Sequence, residues 1–220
     1  VTGEGDDDNA ELYVVGRELF SSVPLKNFEF RIGARHTSGY IEERDELKIY
    51  YPEPTTFFDI DTSITTGAET AADQFKIPTV YGDAYDIAIY WGDGSLSEIT
   101  SHNQANGTHT YNTAGTYQIG IAFRTSAGDV AFNGSGDAVK VTDLTAWGDV
   151  HMSAGMFDGC SNLIITATDV PIIGVTMERV FKDCSSIVSI PGMNDWDVSG
   201  VYNFDYTFEG ATLFNQNLIE

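Results

Sequence analysis

Residues 85–95 read Tyr85-Asp86-Ile87-Ala88-Ile89-Tyr90-Trp91-Gly92-Asp93-Gly94-Ser95. The first seven alternate. Ile87, Ile89 and Trp91 point one way and Asp86, Ala88 and Tyr90 the other, the period-two pattern of a strand with one buried face. Gly92-Asp93-Gly94 then turns the chain sharply, because glycine adopts positive φ without steric cost. Further on, Tyr117, Ile119, Ile121 and Phe123 repeat the alternation. Between the two runs lie His109-Thr110-Tyr111 and Gly115-Thr116-Tyr117. Short alternating runs broken by Gly, Asn, Asp and Ser clusters recur along the whole chain, and helical periodicity is nearly absent, which makes the expected fold class all-β.

The composition narrows the functional classes. The chain has 220 residues with 42% hydrophobic content, enough for a packed core, yet its formal net charge is −22, from 33 acids against 11 Lys and Arg. Nucleic acid is excluded as a partner, because phosphate binding needs a cationic stripe. An anionic membrane surface is disfavoured for the same reason. No apolar run approaches the ~18 residues of a membrane span, so no membrane insertion is expected. The start, Val1-Thr2-Gly3-Glu4-Gly5-Asp6, has neither the basic nor the apolar region of a signal peptide. Two cysteines, Cys160 and Cys184, do not make a disulfide framework.

Three segments follow from the pattern. Residues 1–54 carry a solvated acidic lead, Asp6-Asp7-Asp8, then strands expected over 11–15, 28–32 and 46–51, closed by a stiff linker at Pro52 and Pro54. Phe30 to Arg35, Gly39 to Ile41 and Leu47 to Tyr50 resemble the closing hairpin of a laminin-G-like or concanavalin-like jelly roll. A small β segment packed on its neighbour is the other reading, and both stay open. In residues 55–143, the combination of Trp91-Gly92-Asp93-Gly94-Ser95, His109-Thr110-Tyr111 and Gly115-Thr116-Tyr117 resembles the polycystic-kidney-disease (PKD) family. That resemblance implies an immunoglobulin-like β-sandwich, of a kind used mostly as a spacer or as a protein- or glycan-contacting module.

Residues 144–220 contain repeats. Met156-Phe157-Asp158-Gly159-Cys160 aligns with Val180-Phe181-Lys182-Asp183-Cys184 and with Thr207-Phe208-Glu209-Gly210-Ala211, so phenylalanine recurs after 24 and then 27 residues. A period of this size is the signature of stacked repeats, each burying its apolar edge on the next. Trp196-Asp197-Val198-Ser199, followed by Phe208-Glu209-Gly210-Ala211 and Phe214-Asn215-Gln216, resembles the BspA-like leucine-rich surface-protein repeat. Phe204 and Thr207 depart from that pattern, which has methionines at these positions. The resemblance implies a short leucine-rich-type solenoid.

Few residues suggest chemistry. His36, His102, His109 and His151 have no partners at zinc spacing. His109 is expected to hydrogen-bond the sandwich edge, and Asp93 to cap backbone N–H groups of its own turn. Asp6-Asp7-Asp8 and Asp59-x-Asp61 offer oxygen clusters of the type Ca²⁺ prefers, without EF-hand spacing; Ca²⁺ is the one ligand left open, and no cofactor is expected. Cys160, Cys184 and Ala211 share one repeat position, a small buried slot. Asn106-Gly107-Thr108 and Asn133-Gly134-Ser135 match the N-glycosylation pattern. No nucleophile elbow, P-loop or dinucleotide fingerprint is present.

The expected function is therefore a non-enzymatic structural and adhesion module displayed outside the cell. Two carriers fit, a bacterial cell surface and a phage virion bearing it as a fibre or capsid decoration; the lack of a sorting signal or anchor leans to the virion. Expected partners are protein subunits of a larger surface assembly and a host-surface glycan or protein. The rival class is an accessory carbohydrate-binding module of a secreted glycan-degrading enzyme. The segment is expected to belong to a longer surface protein.

Overall fold

The computed structural model describes residues 53–80, 85–102, 104–123, 130–134 and 136–217 in full, and residues 11–17, 27–35 and 41–50 as backbone. The chain divides into two compact units, Val1–Tyr51 and Pro52–Glu220. In the first, β1 (Glu11–Arg17), β2 (Asn27–Arg35) and β3 (Ile41–Tyr50) form an antiparallel sheet in that order. Val14 lies opposite Ile32 and Phe30 opposite Leu47, with a register shift between Arg31 and Gly33. Each strand is longer than its alternating run. Strand β3 takes in Glu42-Glu43-Arg44-Asp45-Glu46, which no hydrophobic alternation marks, because ladder pairing joins backbone groups whatever the side chains are. The acidic lead at Asp6-Asp7-Asp8, His36 and Gly39-Tyr40 lie outside the described residues.

The second unit adds β4 (Thr56–Asp61), β5 (Gln74–Lys76), β6 (Ile87–Tyr90), β7 (Leu96–Ile99), β8 (Thr108–Thr110), β9 (Thr116–Phe123), β10 (Val141–Ala146), β11 (His151–Met152), β12 (Ile164–Ile165) and β13 (Ile172–Ile173). A six-stranded sheet runs β12-β10-β4-β9-β6-β7, and two-stranded ribbons pair β5 with β8 and β11 with β13. The two alternating runs of the sequence are neighbours: β6 pairs antiparallel with β9, Ile89 opposite Ile121. Ile87, Ile89, Trp91, Ile119 and Ile121 are all buried, as the alternation requires. Ala88 is buried as well, so β6 is covered on both faces there, where the pattern predicts a solvated side. From β5, Phe75 sets its ring against Phe58 (6.2 Å between centroids) and Phe132 (6.4 Å), holding the ribbon on the sheet. Among the described residues the helical structure is three short 3-10 turns, and the fold is all-β.

Beyond β10 the backbone winds in stacked turns. The N–H of Phe157 donates to Val180 O and that of Phe181 to Thr207 O, both at 2.9 Å. On either side, Gly155 and Gly159 donate to Glu178 and Lys182, and Arg179 and Asp183 donate to Asp205 and Glu209. Residues 155, 179 and 206 are therefore equivalent, as are 159, 183 and 210. Both rows are left-handed, with φ of 66°, 56° and 60° in the first and 83°, 58° and 75° in the second. Arg179, Asp183 and Tyr206 hold this conformation without being glycine, at a cost on the order of 1–2 kcal/mol each; for Arg179 and Asp183 the ladder bonds to the next turn help to hold it. The ladder also begins earlier than the repeats read from the sequence. Phe132 donates to Met156 O (3.1 Å) and Gly134 to Asp158 O (3.0 Å), so Phe132 heads a further turn ahead of Phe157.

The turns stack their aromatic rings. Phe157 and Phe181 lie 6.0 Å apart and 7° from parallel, Phe181 and Phe208 5.3 Å and 17°, and Phe208 and Phe214 4.3 Å and 6°. Trp147 meets Phe157, Phe181 and Trp196 edge-on, the last at 5.6 Å. Offset and edge-on aromatic pairs contribute about 0.5–1.5 kcal/mol each beyond their area burial. One hydrophobic core runs from Trp91 and Ile119 through Leu144 and Trp147 to Phe181 and Trp196. A small apolar cavity lined by Phe58, Ile121, Phe132, Leu144, Met156 and Phe157 marks where sheet and turns meet.

Candidate functional site

The residues singled out around Trp91 converge at one end of the sheet. Gly92 takes φ 81°, and a Cβ there would stand 2.4 Å from Gln118 O of β9. Only glycine lets the turn pass so close to the neighbouring strand. Gly94, at φ 92°, completes the turn, and the Trp91 N–H donates to Ser95 O at 3.1 Å to close it. Asp93 caps this turn as expected: its Oδ1 accepts the Ser95 N–H (2.9 Å) and the Ser95 hydroxyl.

His109 closes over the same turn. Its imidazole stacks on the Trp91 indole, and its Nε2 lies 2.8 Å from Asp93 Oδ2. A carboxylate only accepts, so Nε2 carries the proton. Tyr111 meets His109 edge-on at 4.5 Å and stacks on Tyr117 at 3.8 Å. The buried Tyr111 hydroxyl donates to Trp91 O at 3.1 Å. Gly115 ties the far end of this cluster to the residue that follows β4: its N–H donates to Thr62 Oγ1 (2.9 Å), and its carbonyl accepts from the Thr62 N–H (2.9 Å).

Burial alone would raise the Asp93 carboxyl, but the bonds from Ser95 and His109 outweigh it, and the group sits below its ordinary value. Burial, with the Asp93 charge added, pushes the Tyr111 hydroxyl well above its usual range. Asp93, Ser95 and His109 are the three residue types of a nucleophilic triad, and their geometry differs from one. In a triad the base faces the serine with one ring nitrogen and the carboxylate with the other. Here the same Nε2 faces both, at 2.8 Å from Asp93 and 3.3 Å from Ser95, while the Ser95 proton goes to Asp93. The arrangement fixes a turn and activates no hydroxyl.

A second polar cluster is barely signalled in the sequence. Lys140 is fully buried and donates from Nζ to Thr70 Oγ1 (2.8 Å), Ala71 O (2.7 Å) and Gln74 O (2.7 Å). Asp137, buried 3.8 Å away, accepts the backbone N–H groups of Glu69, Thr70 and Lys76 and the Thr70 hydroxyl. Burial lowers the Lys140 ammonium, and the charges of Asp137 and Asp73 offset part of that. Lysine is rarely buried unless paired; only the three-residue spacing from Asp137 hints at this clamp on the 69–76 loop.

Of the residues considered for cations, Asp59 accepts from Gln118 Nε2 (3.1 Å), and Asp61 accepts the Ser63 N–H (2.9 Å) and hydroxyl (2.6 Å). Among the described residues no group of three His, Cys, Asp or Glu side chains could hold a metal ion. His102 lies 3.2 Å from Thr79 Oγ1, and His151 is exposed on β11. Asn106 and Asn133 are both exposed, Asn133 at φ 50°. Cys160 and Cys184 are buried and free, and Cys184 donates to Phe157 O at 3.0 Å.

Phe157, Phe181, Phe208 and Trp196 lie in the stacked turns, and the family comparison falls on this part of the chain. Residues 150–220 match the family described as "Mycoplasma protein of unknown function, DUF285". The DUF285 segment takes in the turns of Phe157, Phe181 and Phe208 together with Trp196. It does not extend to the turn of Phe132 or to the Trp91–His109 cluster. No curated protein and no solved structure matches the chain. Among the described residues no helix is long and apolar enough to cross a membrane.

Proposed function

We propose that this chain is a non-enzymatic structural and adhesion module displayed on an outer surface, that of a bacterial cell or of a virion. In this reading residues 55–143 are a PKD-like, immunoglobulin-like sandwich and residues 144–220 a short BspA-like, leucine-rich-type solenoid. The observation that carries it is the use made of the polar side chains. Asp93, Ser95, His109, Tyr111, Asp137 and Lys140 spend their hydrogen bonds on backbone, on one another or on the Thr70 hydroxyl, a use of polar side chains that suits a scaffold. The DUF285 match over residues 150–220 supports display, since that is a surface-protein family of unknown function. A net charge of −22 suits dense display, where like charge keeps neighbours soluble.

Two measurements test the reading. Antibody labelling of intact producing cells and of purified virions should reach the protein without lysis; labelling that appears only after lysis would contradict surface display. A panel of glycosidase, protease and esterase substrates should give no turnover above buffer, and turnover abolished by one point substitution would overturn the non-enzymatic assignment. A glycan array separates the adhesive scaffold from the rival class: tight, selective capture of one sugar would favour an accessory carbohydrate-binding module.

A further inference from the structure

The turn of Phe157 packs between those of Phe132 and Phe181. The turn of Phe132 has the turn of Phe157 on one side and, on the other, residues 67–76. The Phe75 ring lies 6.4 Å from that of Phe132, and both are buried. The Glu69 N–H donates to Gly136 O at 3.2 Å, in the same direction as Gly134 to Asp158 and Gly159 to Lys182 further along. The chains run close here: a Cβ on Gly136 would stand 3.2 Å from Glu69 Oε2, and one on Gly67 3.6 Å from Val139 Cγ1.

The buried Asp137 and Lys140 follow Phe132 in the chain, and their bonds run to the same residues. Asp137 accepts the N–H groups of Glu69 (3.1 Å), Thr70 (3.0 Å) and Lys76 (2.8 Å). Lys140 donates to the carbonyls of Ala71 and Gln74, both at 2.7 Å. The Thr70 hydroxyl joins the two, donating to Asp137 Oδ2 (2.7 Å) and accepting from Lys140 Nζ (2.8 Å). The first turn thus grips residues 69–76 from both ends of the segment, through a carboxylate and an ammonium.

We infer that residues 67–76 are the cap on the first of the stacked turns, and that Asp137, Lys140 and Thr70 lock this cap in place. The first turn of a repeat stack exposes its apolar edge unless an element of another kind covers it. Phe75 supplies that cover over Phe132. The strand that carries it, β5, pairs with β8, so the cap is anchored outside the turns. A buried ion pair adds little net stability over an apolar replacement of the same size, and here its use is to hold the loop in one position. While Phe75 covers Phe132, no turn of a second copy can stack on this end. The inference stands apart from the question of where the protein is displayed.

Native-state amide hydrogen exchange on the 220-residue protein tests it, with Thr70→Val and Lys140→Met as the variants. Thr70→Val keeps the bulk and removes only the shared hydroxyl, so it serves even if Lys140→Met does not fold. The Ile89 amide, in the centre of the sheet, reports loss of stability of the whole unit. With the lock weakened, the amides of Phe132 and Gly134 should speed up by about tenfold or more beyond any change at Ile89. Equal acceleration at Phe132, Gly134 and Ile89 would make the lock a general brace of the core and would overturn the inference. Acceleration at Lys76 with Phe132 and Gly134 unchanged would overturn it too, because the three side chains would then order only their own loop. No change at any of these amides in either variant would equally overturn it.

Discussion

The imidazole of His109 lies on the indole of Trp91 with ring centroids 4.8 Å apart and 15° between their planes, while its Nε2 holds Asp93 at 2.8 Å. One side chain thus joins a buried ring of the core to the carboxylate that caps the exposed turn. The Asp93 carboxyl is held below its ordinary value, so it stabilises the fold at pH above the unfolded carboxyl value near ~3.9 and loses that contribution as pH falls through the folded value. Urea unfolding from pH 6 down to pH 2 should show Asp93→Asn less stable than the parent at the upper end. The gap should close at the lower end. A gap that is constant across the range would mean the carboxylate charge plays no part.

The turn itself depends on Gly92. Alanine there must adopt positive φ and push against Gln118 O, so Gly92→Ala should cost more than the ~1 kcal/mol of a simple glycine change. Trp91→Ala, deleting a fully buried ring, should cost roughly 3–5 kcal/mol. Chemical denaturation measures both; a loss under about 1 kcal/mol for Trp91→Ala would mean the ring is not the anchor of this core.

Asp137 and Lys140 should respond unequally. Asp137→Ala strands three backbone N–H groups and a buried ammonium, for an expected loss of about 3–5 kcal/mol. Lys140→Met keeps the bulk and leaves Asp137 with its four donors, so about 1–3 kcal/mol is expected. Equal losses, or a larger one for Lys140→Met, would show that the ammonium and not the carboxylate organises the 69–76 loop.

Burial raises both thiols, Cys184 to about 12 and Cys160 well above its ordinary value. Thiolate is the reactive form, so a thiol reagent at pH 8 should find no reactive thiol in the folded protein. In denaturant without reductant it should find two. Zero in denaturant would mean that the two cysteines are joined.

Much of this architecture was legible in the residues. The alternation around Ile87–Trp91 and Tyr117–Phe123 marks two strands whose pairing needs nothing more than a common buried face. Phe157, Phe181 and Phe208 mark the stacked turns because each repeats a phenylalanine over a small slot. The turn of Phe132 was hidden, since Ser135-Gly136 stands where the next two turns have Cys-Ser, and backbone bonds to Met156 and Asp158 rather than side chains define it. Lys140 was hidden for a different reason. Its cage is made of main-chain carbonyls about 70 residues earlier, and carbonyls have no sequence signature. In the Trp91 cluster the residues were legible, but the sharing of one His109 nitrogen between Asp93 and Ser95, which separates a braced turn from a triad, was not.

The six-stranded sheet and the stacked turns share one hydrophobic core, with Trp91 in the sheet part and Trp147 and Trp196 in the turns, so the two parts should unfold as one cooperative unit. Fluorine NMR of 5-fluorotryptophan-labelled protein through a guanidinium titration tests it most directly, because the three tryptophans report separately on the two parts. All three native resonances should disappear at one denaturant midpoint, and Phe181→Ala should lower that midpoint for all three together. Loss of the Trp147 and Trp196 signals while that of Trp91 stays native would contradict it.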